Sequence, residues 1–266
     1  GCQSEPRKIT PEVPLVTAPM KIVAPKKVAA DATTILSKKE VPILCYHNIR
    51  EFSNTASAVM KTNTVKPAAF AAQMKTLADE GYETILPEQL YNYLAFDGPL
   101  PKKPIMITFD DTRIDQFTNG AVEMKKYGFK GVFFIMTVAI NRPGYMTKEE
   151  IKSLSDDGHV IASHTWDHHM VTKYSGEDWN TQFVKPKAKL EEIIGKPVTD
   201  FAYPFGFFDE DSVKIVNEAN YTNATTTVNS VFDKNKYTNF EIPRIMISGR
   251  QGLFSFILKI KKGRNR

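Results

Sequence analysis

From residue 41 onward, short apolar runs alternate with stretches whose apolar residues recur every three or four positions. The run Ile43-Leu44-Cys45-Tyr46 reads as a buried strand. A polar loop over 48–65 separates it from a helix with Phe70, Met74 and Leu77 on one face, at i, i+4 and i+7, ending at Gly81. Residues 84–86 read as a strand, and Pro87 opens a helix to Leu94, because a first helical turn does not need the missing N–H. Residues 105–109 form the next apolar run. A helix through Val122, Met124 and Tyr127 closes at Gly128, a strand follows over 132–136, and a helix over 148–154 is stopped by Gly158. Residues 160–163 read as a strand, followed by a long helix from 177 to 194 that Pro186 should kink. Further strands are predicted at 201–203, 223–227 and 244–247, with a helix over 209–218 whose first turn is acidic, as the helix dipole favours. Residues 252–262 read as a last helix with Phe254, Ile257 and Leu258 facing inward.

Strands that alternate with helices imply a parallel sheet, and seven or eight repeats over about 220 residues imply closure. The expected fold is α/β, a distorted (β/α) barrel of seven to eight parallel strands, forming a single domain over 41–262. A chain of 266 residues with 42% hydrophobic content can bury a core of that size.

Charge changes the picture at the two ends. Residues 1–40 hold seven Lys/Arg against four Asp/Glu, and 249–266 hold six against none, so the core between them is acidic although the whole chain is +5. A nucleic-acid enzyme would carry its positive charge across the working face, so no nucleic-acid partner is expected. Five prolines, seven basic residues and no apolar period make 1–40 a tether that cannot bury a core. A chain of this length has an r.m.s. span of roughly 35 Å. The opening Gly1-Cys2-Gln3-Ser4 resembles a bacterial lipoprotein cleavage junction, which implies a lipidated Cys2, a membrane partner and a place in the cell envelope. Cys45 reads as a buried, inert thiol. The chain is read as a monomer.

The candidate chemistry lies in two motifs. Thr108-Phe109-Asp110-Asp111 ends the run that begins at Ile105, and adjacent carboxylates at a strand end repel unless a cation sits between them. Some fifty residues on, Ser163-His164-Thr165-Trp166-Asp167-His168 follows another strand and offers two imidazoles at i and i+4; four of the five histidines lie between 159 and 169. Alone, an Asp pair is a cap or a turn, and two histidines so spaced are a surface pair. Together, at strand C-termini, they make a three-ligand N/O set that leaves a metal position open for water, with the other Asp free to act as base.

These motifs resemble the polysaccharide deacetylases, carbohydrate esterase family four, and Phe201-Ala202-Tyr203-Pro204-Phe205-Gly206 resembles a third family motif. The resemblance implies a divalent metal, with Zn²⁺ suiting two imidazoles and a carboxylate. It makes Asp110 the base, Asp111, His164 and His168 the ligands, and the Tyr203 backbone N–H an oxyanion donor. The sequence departs from the pattern at Thr112, where most members have Gly, and at Ala202, where an Arg usually pairs with the base; Arg244 is the expected replacement. No late Leu-x-His motif supplies an acid. Instead Ile43-Leu44-Cys45-Tyr46-His47 and Ile242-Pro243-Arg244 resemble the poly-N-acetylglucosamine subgroup, which implies His47 as the acid. Trp166, Tyr203 and Phe205 are the candidate sugar contacts, and His169 should point away on a helical turn. The implied activity is N-deacetylation of a β-linked N-acetylglucosamine polymer, exopolysaccharide or peptidoglycan. An O-acetyl esterase, or a non-catalytic polysaccharide-binding lipoprotein, stands as the alternative.

Overall fold

The computed structural model describes residues 28–226 and 242–262. Cys2 and residues 1–27 of the predicted tether lie outside the described residues. The rest of that stretch carries a short helix, α1 (Ala32–Ser37), whose Asp31 cap accepts from the Thr34 N–H at 2.8 Å. There follow β1 (Ile43–Tyr46), β2 (Asn48–Ile49), α2 (Ala58–Asn63), β3 (Thr64–Val65), α3 (Pro67–Asp79), β4 (Glu83–Thr84), α4 (Pro87–Phe96) and β5 (Pro104–Asp110). A π-helical turn, Gln116–Ala121, leads into α5 (Val122–Lys125), β6 (Val132–Ile135), α6 (Lys148–Asp156) and β7 (Val160–Ser163). The second half contains α7 (Lys185–Ile194), β8 (Asp200–Ala202), α8 (Glu210–Glu218), β9 (Asn223–Thr226), β10 (Ile242–Pro243), β11 (Ile245–Met246) and α9 (Leu253–Lys262).

The strands run in the order β10-β9-β8-β7-β6-β5-β1-β11, every pair parallel, with β4 on the first residues of β5. β10 and β11 are two halves of one segment broken at Arg244. The first half pairs with β9 and the second with β1, so the last segment draws the two sheet ends together into a nearly closed barrel of eight parallel strands.

Both faces of these strands are buried, which is why the sequence shows continuous apolar runs and not alternation. Leu44, Tyr46, Ile107, Phe109, Phe133, Ile135 and Phe201 face the helices in the larger core. Residues of the other parity, Ile43, Met106, Val132, Phe134, Ala162, Ala202 and Ile242, fill the inner cluster, which Ile85, just after β4, and Leu90, on α4, join. Following the inward parity to the C-terminal strand ends reaches Cys45 and His47, Thr108 and Asp110, His164 and Arg244. The strand period of two thus brings residues distant in sequence to one rim.

Two expectations are corrected. The 48–65 loop contains β2, α2 and β3, because Asn48 and Ile49 pair with Thr64 and Val65. The last helix buries Phe256 and Ile260, with Ile257 partly buried, whereas Phe254 is 81% exposed and Leu258 39%. The inward face is therefore the 256/260 stripe, and the 254/258 stripe, one step round the helix, faces out.

Candidate active site

The end of β5 carries the first motif. Asp110, still in the strand, points into the barrel and is 3% exposed. After it the backbone turns through the left-handed region at Asp111 (φ 80°) and Thr112 (φ 68°), which lifts the Asp111 carboxylate onto the rim. A β-branched residue in this region is strained, which accounts for Gly being usual there. Here Thr112 is held by its hydroxyl accepting the Met136 N–H at 2.8 Å and its carbonyl accepting the Met146 N–H at 3.0 Å.

The second motif is a turn and not the helical turn expected for an i, i+4 pair. Thr165 and His168 are both left-handed, at φ 69° and 68°, and the His168 N–H donates to Thr165 Oγ1 at 2.9 Å. Gln182 clamps it, accepting from the Trp166 N–H at 3.0 Å and donating to Asp167 Oδ1 at 2.7 Å. The turn brings both imidazoles to Asp111: Oδ1 lies 3.2 Å from His164 Nε2 and 3.5 Å from His168 Nε2. His164 Nδ1 is 2.7 Å from the Ala202 carbonyl, which only accepts, so in the neutral ring the proton sits on Nδ1 and the Nε2 lone pair faces Asp111.

This group fits a divalent ion. Two donors about 2.0–2.2 Å from a tetrahedral ion stand about 3.3–3.6 Å apart, close to the spacings seen. Among the described residues, Asp111 Oδ1 and His164 Nε2 are also buried without a hydrogen-bond partner, a costly state that a cation between them relieves. The described residues hold a second cluster, Cys45, His47 and Asp110. It fits a cation poorly, because the Arg244 guanidinium already occupies Asp110.

Arg244 enters at the break in the last strand and is 2% exposed. Its Nη1 and Nη2 donate to Asp110 Oδ1 and Oδ2 at 2.7 and 2.8 Å, the paired geometry that carboxylates and guanidinium groups share. Nη1 also donates to Thr108 Oγ1 at 3.0 Å, and Thr108 donates onward to the Leu44 carbonyl at 2.7 Å. The predicted 244–247 strand is corrected here: the segment is split into β10 and β11 at Arg244, whose N–H still donates to the Thr226 carbonyl of β9 at 3.0 Å while its side chain points inward.

Asp110 Oδ2 faces the other groups, 3.9 Å from His164 Nε2, 4.0 Å from His47 Nε2 and 3.6 Å from Cys45 Sγ. His47 Nδ1 is buried without a hydrogen-bond partner. Gln116, on the π-helical turn, donates to the carbonyls of both His47 and Asp110 and ties the ends of β1 and β5 together. Neither Gln116 nor Gln182 was singled out from the sequence; a glutamine within a helical stretch carries no signal of an inward role.

The electrostatics follow from this packing. Burial alone would raise the Asp110 carboxyl, but the Arg244 guanidinium, with His164 behind it, holds it well below the usual carboxylate range. Burial likewise works against Asp111, and the facing histidines bring it down to about 2. At His164 burial is outweighed by Asp110 and Asp111, so the ring's pKa is raised. At His168 burial, and then His164, lower it to about 4.

The remaining candidates divide. Trp166 is 43% exposed and Phe205 57% exposed, and the Phe205 ring centroid lies 4.5 Å from that of His168. Tyr203 is 1% exposed, packed on Phe201 and Phe208, so its ring is not at the rim. Its backbone N–H donates to the Thr225 carbonyl at 3.1 Å. The parity of β8 turns the Tyr203 ring toward the helices and away from the expected sugar contact, and its N–H, expected as an oxyanion donor, is paired with Thr225 in this structure. His169 is exposed and stacks on Tyr174.

The family model for polysaccharide deacetylases matches residues 97–224, which include both motifs and most of the strands that carry them. The chain is 29% identical over 188 residues to the Bacillus subtilis protein YxkH, which bears that family's name, covering 71% of this chain and 64% of that protein's length. It is 24% identical over 227 residues to the poly-β-1,6-N-acetyl-D-glucosamine N-deacetylase of Staphylococcus aureus, covering 77% of this chain and 78% of the relative. The solved structure of the Streptococcus pyogenes deacetylase PplD in complex with acetate superposes with a TM-score of 0.75 at 26% identity, over 83% of this chain and 97% of that one. With both motifs brought to one rim of a barrel shared with a solved deacetylase, residues 97–224 form a polysaccharide deacetylase domain.

Proposed function

We propose that the protein is a metal-dependent deacetylase that hydrolyses N-acetyl groups of a β-linked N-acetylglucosamine polysaccharide, exopolysaccharide or peptidoglycan. The observation that carries this reading is the pair of carboxylates separated by environment. Among the described residues Asp111 faces two imidazoles and no other partner, and Asp110, beside it, is occupied by a guanidinium.

Asp111, His164 and His168 would hold the ion, with Zn²⁺ suiting the donor set. When bound, it supplies positive charge that polarises an acetyl carbonyl and acidifies water. The protein's own groups do the rest. Asp110, kept ionised and oriented by Arg244, takes the proton of the attacking water through Oδ2, the oxygen that faces His47 and His164. His47, on the same rim at the end of β1, gives a proton to the departing amine nitrogen. Trp166 and Phe205 offer the exposed aromatic surface on which a sugar ring stacks. The name of the Staphylococcus aureus relative supports the sugar assignment, and the cell envelope is where such polymers are found.

The test is release of acetate from poly-N-acetylglucosamine and peptidoglycan glycans by zinc-reconstituted protein. No acetate from any N-acetylated glycan overturns the reading. An amine needs a proton to leave and an activated alcohol does not. His47→Ala should therefore lose roughly two to four orders of magnitude on the amide and far less on an activated acetyl ester. Equal losses on both would remove His47 as the acid.

A further inference from the structure

Beside Asp111 and His168 a cavity of about 320 Å³ opens between the turn after β5 and the loop leading to α6, and it is lined by Arg113, Arg142 and Tyr145. We propose that it is a subsite for an anionic substituent, a carboxylate or a phosphate ester, on the sugar next to the one that loses its acetyl group. The inference rests on the proposed deacetylase reading and narrows its substrate to acidic glycans.

The backbone builds the cavity rigidly. Thr112 in its left-handed turn accepts from the Met146 N–H at 3.0 Å, and the Ile114 N–H donates to the Gly144 carbonyl at 3.1 Å, so residues 112–114 and 144–146 run together as a short antiparallel bridge. That bridge sets the Arg113 guanidinium over the Tyr145 ring at 4.6 Å. A guanidinium stacked by its face keeps its N–H edges for a planar partner, the geometry that carboxylates and phosphates fit. Arg113 Nε is buried and has no hydrogen-bond partner among the described residues. Arg142 reaches the same cavity from the loop, where its N–H donates to the Ala139 carbonyl at 3.0 Å.

Neither charge is ion-paired at contact among the described residues, although Arg113 acts on Asp115 from beyond that distance. Arg50 and Arg244 have carboxylates within 4.0 Å, whereas among the described residues neither Arg113 nor Arg142 has one. The two acids that share the lining are otherwise engaged: Asp111 faces the histidines, and Asp167 Oδ1 accepts from Gln182 Nε2 at 2.7 Å and from the His169 N–H at 3.2 Å. A neutral N-acetylglucosamine polymer offers no countercharge to two guanidinium groups set beside the reacting position. An acidic one does, and charge-assisted contacts of this kind are about twice as strong as neutral ones.

The experiment compares three oligosaccharides of equal length: fully neutral, carboxylate-bearing on alternate residues as in muramic-type glycans, and phosphate-bearing. Acetate release by wild-type enzyme should favour one or both acidic forms by about tenfold or more in kcat/KM, and the stronger of the two identifies the anion. Arg142→Gln and Arg113→Gln should reduce that ratio about tenfold, and Arg142→Lys should restore part of it. Calorimetric titration of the Asp110→Asn variant with the same oligosaccharides reads binding without turnover. An acidic preference in binding with no turnover by wild type would remove the deacetylase reading and keep the subsite. Equal kcat/KM and equal binding across the three oligosaccharides overturns the proposal. So does an equal loss on all three in the arginine variants, or a change confined to inhibition by free acetate, which would make the cavity a product exit.

Discussion

Two aspartates on the inward face of the barrel, Asp110 on β5 and Asp200 on β8, are buried to nearly the same degree, at 3% and 4% exposure, yet titrate in opposite directions. Asp110 is clasped by Arg244 and held well below the usual range. Asp200 has only neutral donors, Asn223 Nδ2 at 3.0 Å and Thr199 Oγ1 at 3.1 Å, and burial pushes it up to about 6. Burial penalises both charges alike; a cation at contact decides which stays ionised. Neutral hydrogen bonds reduce the penalty at Asp200 but do not cancel it. Of these two carboxylates, only the one at the rim, where the last strand delivers an arginine, stays charged well below pH 6.

The largest effect should come from removing the Asp110 charge. Asp110→Asn should lower turnover by roughly two to four orders of magnitude while the protein keeps one divalent ion per chain, measured by elemental analysis alongside acetate release. Loss of the ion in this variant would mean that the two neighbouring carboxylates have exchanged roles.

Next is the cation itself. Arg244→Met leaves Asp110 buried without a partner and should cost about 3–5 kcal/mol in urea unfolding near neutral pH. The sign follows from linkage. A carboxyl whose folded pKa is depressed contributes stability above its unfolded pKa, near 3.9, and loses it as the pH falls through the folded value. The variant's deficit should thus shrink in acid, where Asp110 takes a proton and comes to resemble Asp200. A deficit independent of pH would show that Arg244 matters only as packing.

The ligand group offers a third test. Because Asp110 and Asp111 outweigh burial and raise the His164 pKa, zinc binding to metal-free protein should displace protons there, whereas His168, lowered to about 4, is already neutral near pH 7. Titration in buffers of different ionisation enthalpy should show net proton release on zinc binding that falls as the pH rises. No release at pH 7 would contradict the raised His164.

The smallest effect belongs to Asp200. A carboxyl with a raised folded pKa contributes its stability below the unfolded value and loses it as the pH rises through about 6. Asp200→Asn removes that loss and should stabilise the protein by about 1–3 kcal/mol at pH 8, with no gain near pH 4, as read from melting temperature against pH. A variant less stable at both pH values would mean that the amide cannot fit between Thr199 and Asn223.

Local signals made much of this protein legible in its sequence. The apolar runs marked β1, β5, β6 and β7, the 70/74/77 stripe marked α3, and the glycines at 81, 128 and 158 marked the ends of helical stretches. Steric and burial preferences of this kind act within a few residues and leave a period in the chain. The Asp pair and the two histidines were legible for a related reason, since charged and metal-binding side chains are conspicuous at the end of an apolar strand. The turn that unites His164 with His168, the clamping by Gln182 and Gln116, the exposed stripe of α9 and the burial of Tyr203 were decided only by tertiary structure. Whether an amide faces water or a carbonyl, and which of two adjacent stripes turns inward, depends on partners dozens of residues away. Strand parity determined that Arg244 and Asp110 could share the barrel interior, but closure of the sheet, with its last strand broken between β9 and β1, brought that arginine to that carboxylate.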